Sequence, residues 1–253
     1  MHVSSLWGDY SEGSFGQAAK EWIDFLEKSG FSYWQVLPFC LPDEFHSPYR
    51  SYSAFSVNPY FIDLPTLHEQ GLITKKELEE AKQKGPYSCE FARLDDERMA
   101  LLARAAQRFN DDVALNSFLQ AHPQIEHFCR FMALKQANEL KPWTEWKITE
   151  PNEADLRVWR FTQYEFYRQW AIIKAYANKK GLKIIGDIPI YTALDSVDVW
   201  ASPELFELDE NLTPTFVAGC PPDGFSADGQ LWGNPLYQWD IHKKSGFAWW
   251  IKR

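Results

Sequence analysis

Four cysteines are spread over 253 residues, and no two of them stand in a C-x-x-C pair. That scarcity argues against a disulfide framework or a cysteine-rich zinc site and points to a reduced compartment. No apolar run is long enough to span a bilayer, and the opening residues lack the basic and apolar regions of a signal peptide. A cytoplasmic protein without a membrane partner is therefore expected. Excess positive charge is missing as well: the net charge of −9 argues against nucleic acid as a partner. Neither G-x-x-x-x-G-K-S/T nor G-x-G-x-x-G occurs, so no nucleotide-cradling loop is indicated. His122 and His127 lie five residues apart, the wrong spacing for one metal on one helix face. They read as solvent-exposed histidines, and neither a metal nor an organic cofactor is expected.

What the chain has in quantity is aromatic surface: 12 Trp, and 16% Phe, Trp and Tyr together. Such rings first of all build cores, but their faces also stack on the axial C–H groups of sugars. The hydrophobic pattern reads as α/β. Residues 3–6 form a short strand. Ser14 opens a helix with Gln17 as its capping-box partner, and Gly30 closes it. Residues 33–39 form a second strand, so the first strand, helix and second strand make a βαβ unit. From residue 67 the texture turns to amphipathic helices. Thr74 and Glu77 form a capping box flanked by Ile73 and Leu78, and further helices are expected over 94–109, over 113–119 and from Pro123. A long helix over 154–180 carries Trp159, Phe166, Tyr167, Trp170, Ile173 and Ala177 on its core side. Gly181 ends it, and the Ile-rich run that follows reads as a third strand, parallel and buried.

Gly186 and Pro189 stop that strand and leave Asp187 at its carboxyl end, the end where a (β/α) barrel builds its active site. A long Gly/Pro-rich loop with Asp223, Phe225, Gln230 and Trp232 follows, and loops of that length commonly bind or cover a ligand. Read from these residues alone, Asp187 and Asp223 are the candidate catalytic pair. The plain alternative for Asp187 is a strand-end carboxylate that fixes a neighbouring loop. Asp195 and Asp198 read as helix caps.

Four successive stretches carry a resemblance. They are Gly186-Asp-Ile-Pro-Ile-Tyr191, Asp195-Ser-Val-Asp-Val-Trp200, Ala218-Gly-Cys-Pro-Pro-Asp-Gly-Phe-Ser226 and Gly229-Gln-Leu-Trp-Gly-Asn-Pro235. Ser47-Pro-Tyr-Arg-Ser-Tyr-Ser-Ala-Phe55 and Pro142-Trp-Thr-Glu-Trp146 add to them. In order and spacing the series resembles the amylomaltases, or 4-α-glucanotransferases, along essentially the whole chain. One departure stands before the Ser-Pro-Tyr stretch, where Phe45-His46 replaces the family's usual Gly-Asp.

The resemblance implies an incomplete (β/α)8, TIM-type barrel of about three strands with a helical insertion between the second and third. Residues 1–66 would be the first barrel part, 67–152 the insertion, and 153–253 the long helix, third strand and active-face loop. It implies a maltooligosaccharide or α-1,4-glucan substrate facing Ser47, Tyr49, Asp187, Asp223, Phe225, Gln230 and Trp232, with Trp232 stacking and Phe225 part of a lid. The family's catalytic carboxylates follow motifs such as Arg-Ile-Asp-His, which this chain does not contain. The resemblance thus implies the amino-terminal part of a transferase, inactive by itself. A non-catalytic maltooligosaccharide-binding protein and an α-amylase-type hydrolase are the alternatives.

Overall fold

A computed structural model describes residues 1–10, 12–42 and 47–253, and only the backbone of Asp96. Its central element is α7 (Glu153–Lys179), a 27-residue helix. Asn152 caps its start by accepting from the Ala154 N–H, Glu153 and Asp155 occupy the first turn, and Lys179 the last. Each charge suits the helix dipole at its end. Gly181 leaves the helix at φ 79°, a conformation that favours glycine. Trp159, Phe166, Ile173 and Ala177 are buried, as the stripe predicts.

Around α7 pack α1 (Gln17–Lys28), α4 (Phe91–Arg108), α5 (Asp112–Ala121) and α6 (Pro123–Ala137). One apolar cluster joins α1, α4 and one end of α7. A second joins α6 to the other end of α7 and to α8 (Val197–Ala201). Two short helices, α2 (Leu64–Glu69) and α3 (Lys75–Glu80), close the first cluster. The Thr74–Glu77 capping box is formed as expected. Glu77 also reaches α4, accepting from Arg108 at 2.6 and 3.0 Å and from Arg104 at 2.7 Å. Arg108 above all holds the Glu77 carboxyl well below its usual range.

Polar side chains on α7 do a second job. The Gln163 amide accepts from the Val57 N–H at 3.0 Å and donates to the Val57 carbonyl at 2.9 Å. Gln169 accepts from the Asp63 N–H at 2.7 Å. Both glutamines are buried, and they satisfy peptide groups of a non-sheet segment that runs through the core.

The sheet differs from expectation. Strands β1 (Tyr33–Gln35) and β2 (Lys183–Ile185) pair in parallel, with Trp34 opposite Ile184. These are the expected second and third strands. Residues 3–6 are not a strand, so the first βαβ unit does not form. Val3–Ser5 is a 3-10 turn closed by Ser5 N–H to His2 O and Leu6 N–H to Val3 O. It meets β1 and the residues after it through side chains: Trp34 Nε1 donates to the Met1 carbonyl, and His2 Nδ1 accepts from the Leu37 N–H. Nor is β2 buried on both faces. Among the described residues only β1 flanks it, and Ile185 is left 46% exposed. The architecture is mixed α/β, mostly helical, without a closed barrel among the described residues.

Three further expectations need correction. Ser14 does not cap α1: Gly16 holds the N-cap position, and the Ser14 hydroxyl donates to Asp63 at 2.8 Å. The supposed long loop folds back as an antiparallel hairpin of β3 (Val217–Cys220) and β4 (Gln230–Pro235). His122 is half-buried against Phe118 and Tyr167, while His127 is exposed. After the hairpin come α9 (Trp239–Lys244) and α10 (Ala248–Lys252). Among the described residues no helix is long and apolar enough to cross a membrane.

Two outcomes follow from this packing. A Cβ on Gly16 would sit 2.0 Å from Asp63 Oδ1, so Gly16→Ala must displace the carboxylate that holds Ser14 and caps α2. It should destabilise by about 1–3 kcal/mol in urea titration. Burial, assisted by the amino-terminal charge, lowers the His2 pKa from 6.5 to about 4. Between those values the unfolded chain binds the extra proton and the folded chain does not. This part of the stability is whole above pH 6.5 and is lost as pH falls toward 4. The stability advantage of wild type over His2→Gln should therefore shrink across that window.

Candidate functional site

The carboxyl ends of β1 and β2 open into a cleft of about 640 Å3. Its floor is the segment from Asp187 to Tyr191, where the Gly-Asp-Ile-Pro-Ile-Tyr stretch leaves β2. One wall is Ser47, Tyr49 and Arg50, from the chain that follows β1. The other is Leu231, Trp232 and Asn234 on β4.

Tyr49 crosses from wall to floor, its hydroxyl donating to Asp187 Oδ2 at 2.6 Å. That bond, with some desolvation, raises the pKa of the phenol. The Tyr49 turn is steadied by its own N–H, which donates to the Ser47 hydroxyl at 3.4 Å. Opposite, Trp232 is 48% exposed, and its indole N–H donates to Gln230 Oε1 at 2.9 Å. The pairing fixes one edge of the ring and leaves part of its apolar surface uncovered. Tyr191 lies 6.1 Å from Trp232 and stacks at 12° on Tyr237, so the wall continues as an aromatic layer.

The hairpin is fastened to the floor from below. Asn234 Nδ2 donates to the Thr192 carbonyl and the Tyr237 hydroxyl to the Ile190 carbonyl, both at 2.8 Å. Its two strands approach so closely at Gly219 that a Cβ there would lie 2.4 Å from the Gln230 carbonyl oxygen. At the far tip, Asp223 accepts from the N–H groups of Phe225 and Ser226, each at 2.8 Å. It is a turn-forming carboxylate. Phe225 beside it is 99% exposed.

Ser47, Tyr49, Asp187 and Trp232 thus surround one cleft, with Gln230 joined to it through Trp232. Asp223 and Phe225 are at the hairpin tip and are not part of its lining. The pairing of Asp187 with Asp223 across one site is not what the structure shows: Asp187 is the single carboxylate among the described lining residues. The Phe45-His46 departure falls outside the described residues. Sequence reasoning passed over Arg50, Tyr191 and Asn234 as lining residues, although each stands inside a stretch already singled out.

Asp195 and Asp198 are not caps. Ser196 caps α8 by accepting from the Val199 N–H at 3.4 Å. Asp195 instead accepts from Lys135 Nζ at 2.5 Å and from the Trp143 N–H at 3.2 Å. Lys135 is 1% exposed, and its remaining donors go to the carbonyls of Leu140 and Lys141. Asp198 is buried and accepts from the Ala54 N–H at 2.7 Å. Among the described residues no three His, Cys, Asp or Glu side chains gather as a metal site requires.

Chemically, the cleft offers aromatic faces, a hydroxyl–carboxylate pair and amide groups, the set that stacks on and hydrogen-bonds a polyhydroxylated ring. The chain's relatives belong to the same chemical world. A 4-alpha-glucanotransferase of Clostridium butyricum is 44% identical over 272 aligned residues, covering all of this chain and 56% of the relative. The Thermus thermophilus 4-alpha-glucanotransferase is 39% identical, with 54% of its length covered. The structure of an amylomaltase from Streptococcus agalactiae in complex with acarbose superposes with a TM-score of 0.93 at 39% identity. That match takes in 100% of this chain and 55% of the other. An amylomaltase from Corynebacterium glutamicum, 15% identical, shares the fold with a TM-score of 0.77 over 97% of this chain. The chain spans about half the length of the two curated relatives and of the Streptococcus agalactiae enzyme. The family model for 4-alpha-glucanotransferases matches residues 1–253, and the chain belongs to that family.

Proposed function

We propose that these residues form the amino-terminal, glucan-holding part of a 4-alpha-glucanotransferase that moves α-1,4-glucan segments between maltooligosaccharides. The observation that carries this reading is the convergence of Ser47, Tyr49, Asp187 and Trp232 on one cleft from segments far apart in sequence. Trp232 offers a stacking face, Gln230 holds its indole edge, and the Tyr49–Asp187 pair, whose phenolic hydrogen is already donated to Asp187, presents acceptor oxygens to sugar hydroxyls. Phe225, exposed at the hairpin tip, would be the residue that folds over a bound chain. In this reading β1 and β2 are neighbouring strands of an incomplete TIM-type barrel, and residues 67–152 are the helical insertion between them.

Transfer with retention needs a nucleophile and an acid/base carboxyl about 5–5.5 Å apart. Asp187 is alone in the described lining, and Asp223 is engaged in its turn. Binding without that pair lowers no barrier to bond cleavage, so these 253 residues bind and orient glucan and do not turn it over.

The test is incubation of the chain with maltotriose. Neither glucose nor longer oligosaccharides should appear, whereas a protein extended through the following strands should produce both. Activity of the short chain, abolished by Asp187→Asn or Asp223→Asn, would make those two the catalytic carboxylates and overturn this division of labour. Glucose without longer products from the extended protein would favour a hydrolase. By calorimetry, Trp232→Ala should weaken maltooligosaccharide binding about 3–10-fold through loss of one stacking face. Phe225→Ala should weaken it without changing Tm, because the ring makes no core contact. Unchanged affinity in both variants would remove the cleft as the binding site.

A further inference from the structure

No residue of α6 is among the described cleft lining, yet one of its side chains touches both chain segments that lead out of the cleft. Two residues beyond the Ser47–Arg50 wall stands Tyr52, and the Lys135 ammonium lies 5.0 Å from the centre of its ring. Four residues beyond the Asp187–Tyr191 floor stands Asp195, which accepts from the same ammonium at 2.5 Å. The two segments also meet directly, the Val197 N–H donating to the Tyr52 carbonyl at 2.9 Å. The chain after α6 adds a second hold. The Trp143 N–H donates to Asp195 Oδ1 at 3.2 Å, and its indole N–H to the Leu194 carbonyl at 2.9 Å. Thr192 passes the hold on to β4, its carbonyl accepting from Asn234.

We propose that Lys135 is a positioning residue, through which α6 holds the Ser47–Arg50 wall and the Asp187–Tyr191 floor at a set spacing. This rests on the reading of that cleft as the glucan site. The ammonium is 1% exposed and uses its three hydrogens on Asp195 and on the carbonyls of Leu140 and Lys141, at 3.0 and 3.2 Å. It therefore has no freedom to swing, and a cation held out of water attracts a ring face more strongly than an exposed one. The backbone is bent to this end. Glu139 and Leu140 stand at φ 58° and 61°, a conformation that side chains rarely adopt, and the Leu140 and Lys141 carbonyls thereby face Lys135. Asn138 locks the bend, its side-chain oxygen accepting from the Lys147 and Ile148 N–H groups at 2.9 and 3.0 Å.

A buried ion pair that served stability alone could be exchanged for neutral groups of similar size without consequence for the cleft. A positioning residue could not. A neutral side chain neither attracts the Tyr52 ring nor draws Asp195 toward it with a charged bond. The spacing of wall and floor would then be left to the hydrogen bonds of Val197 with Tyr52, of Ala54 with Asp198 and of Tyr49 with Asp187.

The decisive variant combines Lys135→Met with Asp195→Asn, which strands neither charge of the pair and keeps an oxygen for the Trp143 N–H. Hydrogen exchange on the 253-residue chain, well below Tm and without ligand, gives the first readout. Peptides covering residues 47–55 and 187–197 should both exchange about tenfold faster, the scale of one lost charge-assisted bond, while α1 and α4 stay protected. Unchanged protection in either peptide, or loosening spread equally to α1 and α4, would overturn the proposal. Should the double variant fail to fold, Tyr52→Leu decides, since it keeps the ion pair and must loosen residues 47–55 while 187–197 stay protected. Calorimetry with maltotriose gives the second readout. The affinity of the folded double variant should fall about 3–10-fold, which a loss of stability alone does not produce. Wild-type affinity in that variant would make the pair a stability element and overturn its positioning role. If the wild type binds no maltotriose, the glucan reading fails, and the exchange data still decide what Lys135 does.

Discussion

Two buried amides on one helix carry the fold. The segment from Val57 to Asp63 passes through the core outside any sheet, where its peptide groups have neither a strand neighbour nor water. An unpaired peptide group there would cost about 1–3 kcal/mol. Gln163 meets both groups of Val57, and Gln169 meets the N–H of Asp63. The two bonds from these peptide N–H groups each span 106 residues of sequence, so helix and segment run side by side in step. Everything upstream depends on that alignment. Asp63 caps α2 and receives the Ser14 hydroxyl, which sets the entry to α1. The other end of the same segment leads back through Ala54 and Tyr52 to the wall of the cleft.

Local signals were legible wherever the physics is local. The Thr74–Glu77 box, the start of a helix at Pro123 and the stripe on α7 depend on neighbours three or four residues away, and all are where the pattern puts them. Asp187 at the end of β2 follows from a glycine and a proline within two residues of it. Partners distant in sequence left no such trace. Residues 3–6 have strand composition, but their backbone closes on itself and their contacts to β1 run through His2 and Trp34. Ser14 has the spacing of a cap, yet finds a stronger acceptor 49 residues away in Asp63. Asp195 and Asp198 sit at a helix start as caps do, but Ser196 takes that role and releases both for longer reaches.

The candidate site shows the same division. Its members lay in stretches that composition and resemblance already marked, but which side chains would share a space was not in the pattern. Asp223 and Asp187 both follow strands and look equivalent on paper. The turn at the hairpin tip consumes one through two N–H groups, while the other faces the cleft and accepts from Tyr49. Proline and glycine between residues 219 and 229 suggested a loop, because β3 and β4 are short and their pairing is interrupted by a bulge. Apolar side chains of the cleft lining, Ile188 and Ile190 on the floor and Leu231 on the β4 wall, are at least half exposed. The cleft therefore sets one hydroxyl–carboxylate pair, Tyr49 and Asp187, into a largely apolar surface.

Lys135 has a consequence of another kind, one for how such a sequence is free to drift. Its ammonium is almost wholly out of water and is shared among two carbonyls and Asp195, which in turn takes the Trp143 N–H. Replacing Asp195 alone would strand a buried cation, and replacing Lys135 alone would strand a carboxylate and two carbonyls. Breaking such a pair from one side is destabilising by about 3–5 kcal/mol, whereas exchanging both for well-packed apolar groups is often neutral. The two positions, 60 residues apart, are thus tied into a single unit of variation. A lineage crosses from the charged state to the apolar one in a double step or through a much less stable intermediate.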